Sequence, residues 1–173
     1  MKKPLTLLFL STALVGASLQ AQTPSPYPCL DSEVRRHFDF WLGEWEVFAG
    51  DQKAGESSIT LAEGGCAIHE SYTTTKGYSG QSINYYDPIA KKWRQNWVGS
   101  SGDVGIYEET DSRTKGSMQF IARQMDARGA IQLNRMTFTY DPNADTVRQF
   151  IESSGDEGQT WTPSFDGLYK RKK

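Results

Sequence analysis

The residues able to do chemistry in this sequence are few. His37 and His69 are the only two histidines in 173 residues. A nucleophile would need one of them beside a serine or cysteine, with a carboxylate behind it. His69 is next to Glu70, but neighbours on a strand point to opposite faces, so the two do not form a dyad. His37 ends a predicted short helix, where an imidazolium suits the negative end of the helix dipole. Structural roles are therefore expected for both histidines.

An enzyme remains the alternative hypothesis. An isomerase or hydrolase of small molecules would draw on His69, Glu70, Arg135 or Arg148 for acid, base and anion stabilisation. The stretch at 77–80 lacks the Gly-x-Ser-x-Gly spacing of a nucleophile elbow. No catalytic residue is assigned, and the sequence favours a protein without enzymatic activity.

Arg135 and Arg148 each alternate with apolar residues along a predicted strand. If the apolar residues point inward, both arginines lie on the surface, which is expected because burying an unpaired charge is costly. If the opposite faces point inward, either guanidinium could bind a ligand carboxylate. The sequence leaves open which strand face lines the interior.

An aromatic group provides the other candidate ligand contacts. Trp93, Gln95 and Trp97 fall on one strand face, and Tyr85 lies on the strand before them. Aromatic residues on adjacent strands are usually core, but in a roomy barrel the same side chains line a pocket. The candidate ligand-binding residues are Trp93, Gln95, Trp97, Tyr85, His69, Arg135 and Arg148.

No metal or cofactor is expected. Two cysteines without clustered histidines cannot complete a zinc site. Residues 154–161 match Ser-x-Asp-x-Gly-x-Thr-Trp, which predicts a hairpin with Asp156 bonding backbone amides and glycine at a positive φ. Asp156 and Glu157 would be the calcium ligands to test, although calcium wants six or more oxygens.

The elements that must position these residues are short strands. Apolar and polar residues alternate between turn-forming residues, with no long helical period. Strands are predicted at 44–49, 54–62, 66–75, 80–87, 93–100, 104–110, 117–125, 130–140, 146–153 and 160–170. A short helix over 31–37, with Asp31 as N-cap, precedes a plug formed by Phe40, Trp41 and Trp45. We predict one all-β domain, an antiparallel β-barrel of about ten strands with a short N-terminal helix capping one end, and an interior cavity of ligand size.

The first 21 residues have the features of a signal peptide, with Lys2 and Lys3 before an apolar run and cleavage after Ala17 or Ala21. Residues 22–30 form an extended lead-in and residues 31–173 the barrel domain. Without residues 1–21, 17 basic and 21 acidic residues remain, a net charge of −4, which argues against nucleic-acid or anionic-membrane partners. In an exported protein, periplasmic or secreted, Cys29 and Cys66 are expected to form a disulfide.

Several fragments resemble one known family across nearly all of the mature chain. They are FDFWLGEW at 38–45, GCAIHE at 65–70, SINYYDP at 82–88, WRQNWV at 93–98, VRQF at 147–150 and FDGLYKR at 165–171. The family is an uncharacterised one, a domain of unknown function, of exported bacterial calycin-like β-barrels. The resemblance implies the fold and the exported location, and it carries no assigned activity.

The step from Gly43 to Trp45 also resembles the Gly-x-Trp that opens lipocalin and nitrobindin-type barrels, where the tryptophan packs across the barrel floor. Nitrobindin-type proteins bind haem through a histidine on a late strand. This sequence has no histidine after His69, so that ligand does not transfer and haem is not expected.

The functional expectation is a small hydrophobic or amphipathic ligand bound in the barrel interior. The small-molecule enzyme is the first alternative. The second is an interaction protein that uses a strand edge or the barrel rim, which a large exposed apolar patch would favour.

Overall fold

Ten antiparallel strands follow one another along the chain and close into a barrel. The structure is a computed structural model that describes residues 26–126 and 128–173. The strands are β1 (Gly43–Ala49), β2 (Gln52–Ala62), β3 (Ala67–Thr74), β4 (Ser79–Asp87), β5 (Lys92–Gly99), β6 (Val104–Glu109), β7 (Ser117–Met125), β8 (Ile131–Asp141), β9 (Thr146–Ser154) and β10 (Thr162–Arg171). Each predicted strand boundary lies within two residues of the observed one.

The barrel closes between its first and last strands. Each strand pairs with its neighbours in the chain, and β1 also pairs with β10, where Trp45 lies opposite Arg171. Because closure leaves no free sheet edge, side chains on alternate positions of every strand point into one enclosed interior. The predicted barrel of about ten strands with one short helix is confirmed.

The segment before the barrel is held by a disulfide. Cys29 and Cys66 are bonded, with their Cα atoms 4.9 Å apart, which confirms the predicted pair. Cys66 directly precedes β3, so the bond fixes the segment before the helix to the barrel wall. The predicted signal peptide and residues 22–25 of the lead-in lie outside the described residues.

The helix α1 (Glu33–Arg36) is shorter than predicted and its N-cap is Ser32, so the assignment of Asp31 as N-cap was wrong. The Ser32 carbonyl accepts the bonds that open the helix, from the Arg35 and Arg36 amides at 2.9 and 3.2 Å. Asp31 belongs instead to the turn that follows the disulfide-bonded Cys29. Among the described residues, no helix combines the length and apolarity needed to cross a bilayer.

Aromatic residues fill one end of the barrel, which we call the closed end. A 3-10 helix, Asp39–Trp41, follows α1 and turns the chain into β1. Phe38, Trp41 and Trp45 are fully buried; Phe38 stacks on Trp41 at 5.0 Å, and the Trp45 indole donates to the Trp41 carbonyl at 2.8 Å. Phe40 is half-buried and stacks on Tyr140 at 6.0 Å. These four residues form the plug.

Gly43 permits the sharp entry from the plug into β1. Its φ of +138° is one that side chains rarely adopt, and a Cβ there would collide with the Arg171 guanidinium. Arg171 covers the plug from β10: it donates to the Leu42 carbonyl at 3.1 Å and lies over the Trp45 ring at 4.2 Å. The residue types at 43 and 45 therefore follow from how the closed end is packed.

Candidate functional site

The half of the barrel opposite the plug contains a cavity of about 270 Å³. This half, the open end, carries the turns between β3 and β4, between β5 and β6, and between β9 and β10. The cavity wall is built mainly from aromatic and amide side chains that alternate with outward-facing residues on their strands. Its lining residues are Glu70, Tyr72, Tyr78, Gln95, Trp97, Asp103, Tyr107, Gln124, Met136, Gln149, Ile151, Phe165 and Tyr169.

A chain of buried polar side chains crosses one wall of the cavity. The Gln95 amide donates to Asn84 Oδ1 at 2.7 Å, and the Asn84 amide donates to Ser82 Oγ at 2.9 Å. The Ser82 hydroxyl in turn donates to Glu70 Oε2 at 2.7 Å, while Ser57 Oγ lies 3.5 Å from Glu70 Oε1. Strand register explains the alignment, because Glu70 pairs directly with Ser82, and Asn84 pairs with Gln95.

Glu70 is the one ionisable member of this hydrogen-bonded set of side chains. Its side chain is almost fully buried, with only 3 % of the residue exposed. Burial raises the pKa of Glu70 to about 7, because a carboxylate loses its hydration there, and the Ser82 and Ser57 hydroxyls oppose the rise only in part. Near neutral pH the carboxyl is therefore divided between its protonated and ionised forms, able to donate or to accept a proton.

The opposite wall is formed by Tyr169, Gln149 and Met136. The Tyr169 hydroxyl donates to Gln149 Oε1 at 2.6 Å, and the Gln149 amide lies 3.0 Å from the Met136 sulfur. Burial, with a smaller contribution from the Glu70 charge, raises the pKa of Tyr169 well above its ordinary value. Tyr72 beside them also has a raised pKa, from burial first and Glu70 second. Both phenols are thus neutral across the physiological range.

Asp103 organises the mouth of the cavity. Its Oδ2 accepts hydrogen bonds from the Tyr78 hydroxyl at 2.8 Å and from the Trp97 indole at 3.0 Å. Tyr107 lies farther in, where burial raises the pKa of its phenol to about 12. Its hydroxyl donates to Gln124 at 3.4 Å. The mouth is therefore lined by aromatic side chains, two of which are fixed by one aspartate.

Of the predicted ligand-binding residues, Gln95 and Trp97 line the cavity. Trp93 is on the same face but lies in the plug region, where it packs on Phe38 at 5.8 Å and its indole donates to the Val34 carbonyl at 3.1 Å. Tyr85 occupies the other face of β4, since its neighbour Asn84 points inward. A ligand in the cavity would therefore meet Gln95 and Trp97 directly, and Trp93 only through the plug.

The remaining predicted residues lie on the outer face. His69 Nε2 lies 3.0 Å from Gln81 Oε1, outside the barrel wall that holds Glu70 inside. Arg135 pairs with Glu152 at 2.8 Å and covers the Trp161 ring at 4.1 Å. On β8 and β9 the structure thus resolves the question of strand faces: the faces with Met136, Phe138, Val147 and Ile151 point inward, and Arg135 and Arg148 point outward.

Arg148 follows the same arrangement on β9. It pairs with Asp166 at 2.7 Å and covers the Phe150 ring at 4.5 Å. The enzyme hypothesis names four residues, His69, Glu70, Arg135 and Arg148, and of these only Glu70 reaches the interior.

The sequence interpretation did not assign ligand contact to Glu70, Tyr72, Gln149 or Tyr169. The two-residue alternation of β3 places Glu70 on the same face as Ile68 and Tyr72. The sequence therefore does indicate that Glu70 points into the barrel. The sequence does not indicate that Ser82 and Asn84 point inward, because polar residues at alternate positions are also typical of a solvent-exposed face. Only the pairing of β3 with β4 joins them to Glu70.

A second buried carboxylate belongs to the closed end. Glu109 is 2 % exposed and accepts from the Trp93 amide at 2.8 Å and from Arg113, whose Nη2 lies 2.5 Å away. This carboxylate is neutralised by its own arginine and holds β6 against β5. Its role is structural.

The hairpin at 154–161 forms as its motif predicts. Asp156 accepts from the Thr160 amide at 2.9 Å and the Thr160 hydroxyl at 2.6 Å, while Gly158 adopts a φ of +87°. The Trp161 indole donates to the Gly158 carbonyl at 3.0 Å. The hydroxyl and amide donors lower the pKa of Asp156 to about 2. In the part of the chain that the structure describes, no three His, Cys, Asp or Glu residues cluster as metal ligands.

Comparison with models of known protein families finds no match to this sequence, and no curated protein sequence matches it.

Proposed function

We propose that the protein binds a small amphipathic molecule in the interior of its barrel, through the open end. The observation that carries the proposal is the cavity of about 270 Å³, with apolar walls and a few inward-facing polar groups. Small-molecule sites have this composition, in which apolar surface provides affinity and the polar groups fix the orientation. The volume suits a ligand smaller than a typical drug.

The division of the interior supports this proposal. A ten-stranded barrel encloses more space than an eight-stranded one, whose side chains nearly fill it. Here the plug fills only the closed half. In the other half the polar side chains Gln95, Gln149 and Glu70 face the remaining space. Both amides are hydrogen-bonded within the protein, whereas burial of the Glu70 carboxylate costs stability unless a ligand pairs with it.

We also infer that the protein is exported and acts in the periplasm or outside the cell. The Cys29–Cys66 disulfide supports this location, because such bonds persist in oxidising compartments. The resemblance to exported calycin-like barrels points the same way, as does the predicted signal peptide.

Native mass spectrometry of the protein purified from its own periplasm tests the proposal. We expect a bound mass that is retained in gentle ionisation and lost on unfolding. Ile151→Trp, which fills the cavity from β9, should remove it. Ile106→Trp is the matched control, since Ile106 is 64 % exposed on the outer face of β6. Repeated recovery of empty wild-type protein, or equal loss in both variants, would refute ligand binding in the cavity.

A second candidate is an isomerase that moves a proton on such a ligand. It is favoured by the position of Glu70, a buried carboxyl that lines the cavity, where burial raises its pKa to about 7, a value that suits a general acid or base at neutral pH. It ranks below binding because His69, Arg135 and Arg148, which could have assisted Glu70, lie outside the cavity. Tyr72, which lines the cavity with Glu70, is a poor second acid, because burial raises the pKa of its phenol.

A further inference from the structure

The charges that line the cavity have one sign. Glu70 lies at its inner wall and Asp103 at its mouth, and among the lining residues within 26–126 and 128–173 there is no Lys, Arg or His. A site for a carboxylate or phosphate would require positive groups or several free amide donors. The charge distribution therefore disfavours an anionic ligand and leaves Glu70 without a protein counter-ion.

The protein compensates the buried charge of Glu70 only in part. Its hydrogen-bond donors in the described structure are the two hydroxyls of Ser82 and Ser57, the latter at 3.5 Å. Glu109, the other buried carboxylate, has a bidentate arginine and a backbone amide. Buried charges are normally paired, as Glu109 is. Glu70 differs in facing a cavity, from which a counter-ion could approach it.

The aromatic rings supply the second, independent observation. Six of the lining residues are aromatic: Tyr72, Tyr78, Trp97, Tyr107, Phe165 and Tyr169. The Tyr72 and Trp97 rings lie side by side in the cavity wall, with centroids 6.5 Å apart and planes inclined at 53°. Aromatic faces attract ammonium groups through their quadrupoles, most strongly where water is excluded. An ammonium group is thus favoured by the walls as well as by the carboxylate.

We propose that the ligand is an amphipathic organic cation, such as a primary amine with an alkyl or aryl tail, whose ammonium group pairs with Glu70. This inference rests on the proposed function. The ammonium would donate hydrogen bonds to Glu70 and to the neighbouring amide oxygens, and the tail would lie against Met136, Ile151 and Phe165 on the other side. The surface arginines do not compete for Glu70, because Arg135 and Arg148 are paired outside the barrel.

The rival arrangement is a protonated Glu70 that donates a hydrogen bond to a carbonyl of a neutral ligand. The two differ in their dependence on pH. Burial raises the pKa of Glu70 to about 7, so lowering the pH from 8 to 5.5 protonates it; this weakens pairing with a cation and strengthens donation to a carbonyl. Tyr72 and Tyr169 stay neutral in this interval because their pKa values are raised. Asp103 at the mouth is the other charged group facing the cavity.

The test is isothermal titration calorimetry of the whole disulfide-bonded protein with octylamine, octanol and octanoate, three probes that share a tail. At pH 8 we expect octylamine to bind at least about tenfold more tightly than octanol, and octanoate to bind most weakly. At pH 5.5 octylamine affinity should fall about tenfold or more, because a proton competes for Glu70 while the amine remains charged, as lysine does.

Glu70→Gln should lower octylamine affinity about tenfold at pH 8, remove most of its pH dependence and leave octanol unchanged. Glu157→Gln, on the exposed hairpin, is the control and should resemble wild type. Near-UV circular dichroism checks that each variant is folded, and the wild-type pH profile tests the inference without any substitution.

Octanol or octanoate binding as tightly as octylamine at pH 8, or octylamine affinity that rises as the pH falls, would overturn the inference. Failure of octylamine to bind would overturn it as well. In either case a bound mass in the native spectrum would leave the proposed function standing, whereas an empty protein would remove both.

Discussion

Replacing Glu70 by glutamine should stabilise the protein, by an amount that depends on pH. Glutamine has nearly the shape of a protonated glutamate and retains a hydrogen-bond acceptor for the Ser82 hydroxyl, but it never acquires charge. Burial raises the pKa of Glu70 from its ordinary 4.5 to about 7. Each pKa unit corresponds to about 1.4 kcal/mol, so ionising this carboxyl in the folded protein costs about 3 kcal/mol more than in the unfolded chain.

The direction of the pH dependence of stability follows from which state, folded or unfolded, holds the Glu70 proton. Between pH 4.5 and 7 the folded state keeps the Glu70 proton while the unfolded state has lost it, so rising pH favours unfolding. The stability that the protonated group provides is complete below pH 4.5 and is lost as the pH rises through 7. The variant should therefore match wild type near pH 4 and exceed it by about 3 kcal/mol at pH 8 and above.

Urea unfolding at a series of pH values from 4 to 9 measures this difference, provided the m value of each variant stays constant. Glu157→Gln is the matched control: its side chain is 70 % exposed, and its difference from wild type should stay small at every pH. A Glu70→Gln difference that does not change with pH would refute the reasoning. It would mean that the carboxyl is hydrated in the folded protein, and that the cavity wall does not desolvate it.

Three further changes test other parts of the fold. Replacing Cys29 and Cys66 by serine should lower the free energy of unfolding by about 3–4 kcal/mol, because the bond closes a 37-residue loop; a change below 1 kcal/mol, by urea unfolding, would contradict this. Trp41→Ala should cost about 3–5 kcal/mol, since the ring is fully buried in the plug, and an unchanged melting temperature would exclude that role. Asp156→Ala removes both bonds to Thr160 and should lower the urea midpoint at pH 7. Its carboxylate has a depressed pKa of about 2, so the wild-type advantage should fade as the pH falls from about 4 through 2, and an advantage that survives at pH 1.5 would contradict the assignment.

Local pattern was sufficient to predict the strands and how they close. Period-two alternation with turn residues between strands marks each strand, and a plug of large aromatics around the start of β1 is typical of a barrel that needs one end filled. The helix cap was the local error. Asp31 has the right residue type for an N-cap, but the backbone around it is held by the disulfide at Cys29, which sequence preference alone does not weigh.

The site was harder to predict because it depends on register. Glu70 meets Ser82, and Asn84 meets Gln95, only when β3, β4 and β5 pair as observed; a shift of one residue would send one member of each pair outside. Arg148 and Gln149 give a second example in which the sequence does not determine the inward-facing residue. Both are polar neighbours on β9, and the sequence alone left open which one faces the interior.

The plug contributes to stability and the cavity to ligand binding, and Glu70 is the residue that affects both properties. In the plug, apolar rings pack against one another, so substitutions there should change stability and leave ligand preference intact. At Glu70 a glutamine should raise stability at pH 8 while weakening the binding of a cationic probe. A buried charge that serves ligand binding lowers the stability of the protein, so its removal is expected to raise stability and to weaken binding. If the same substitution instead left octylamine affinity unchanged, the buried carboxyl would have to be explained by the architecture of the barrel wall alone.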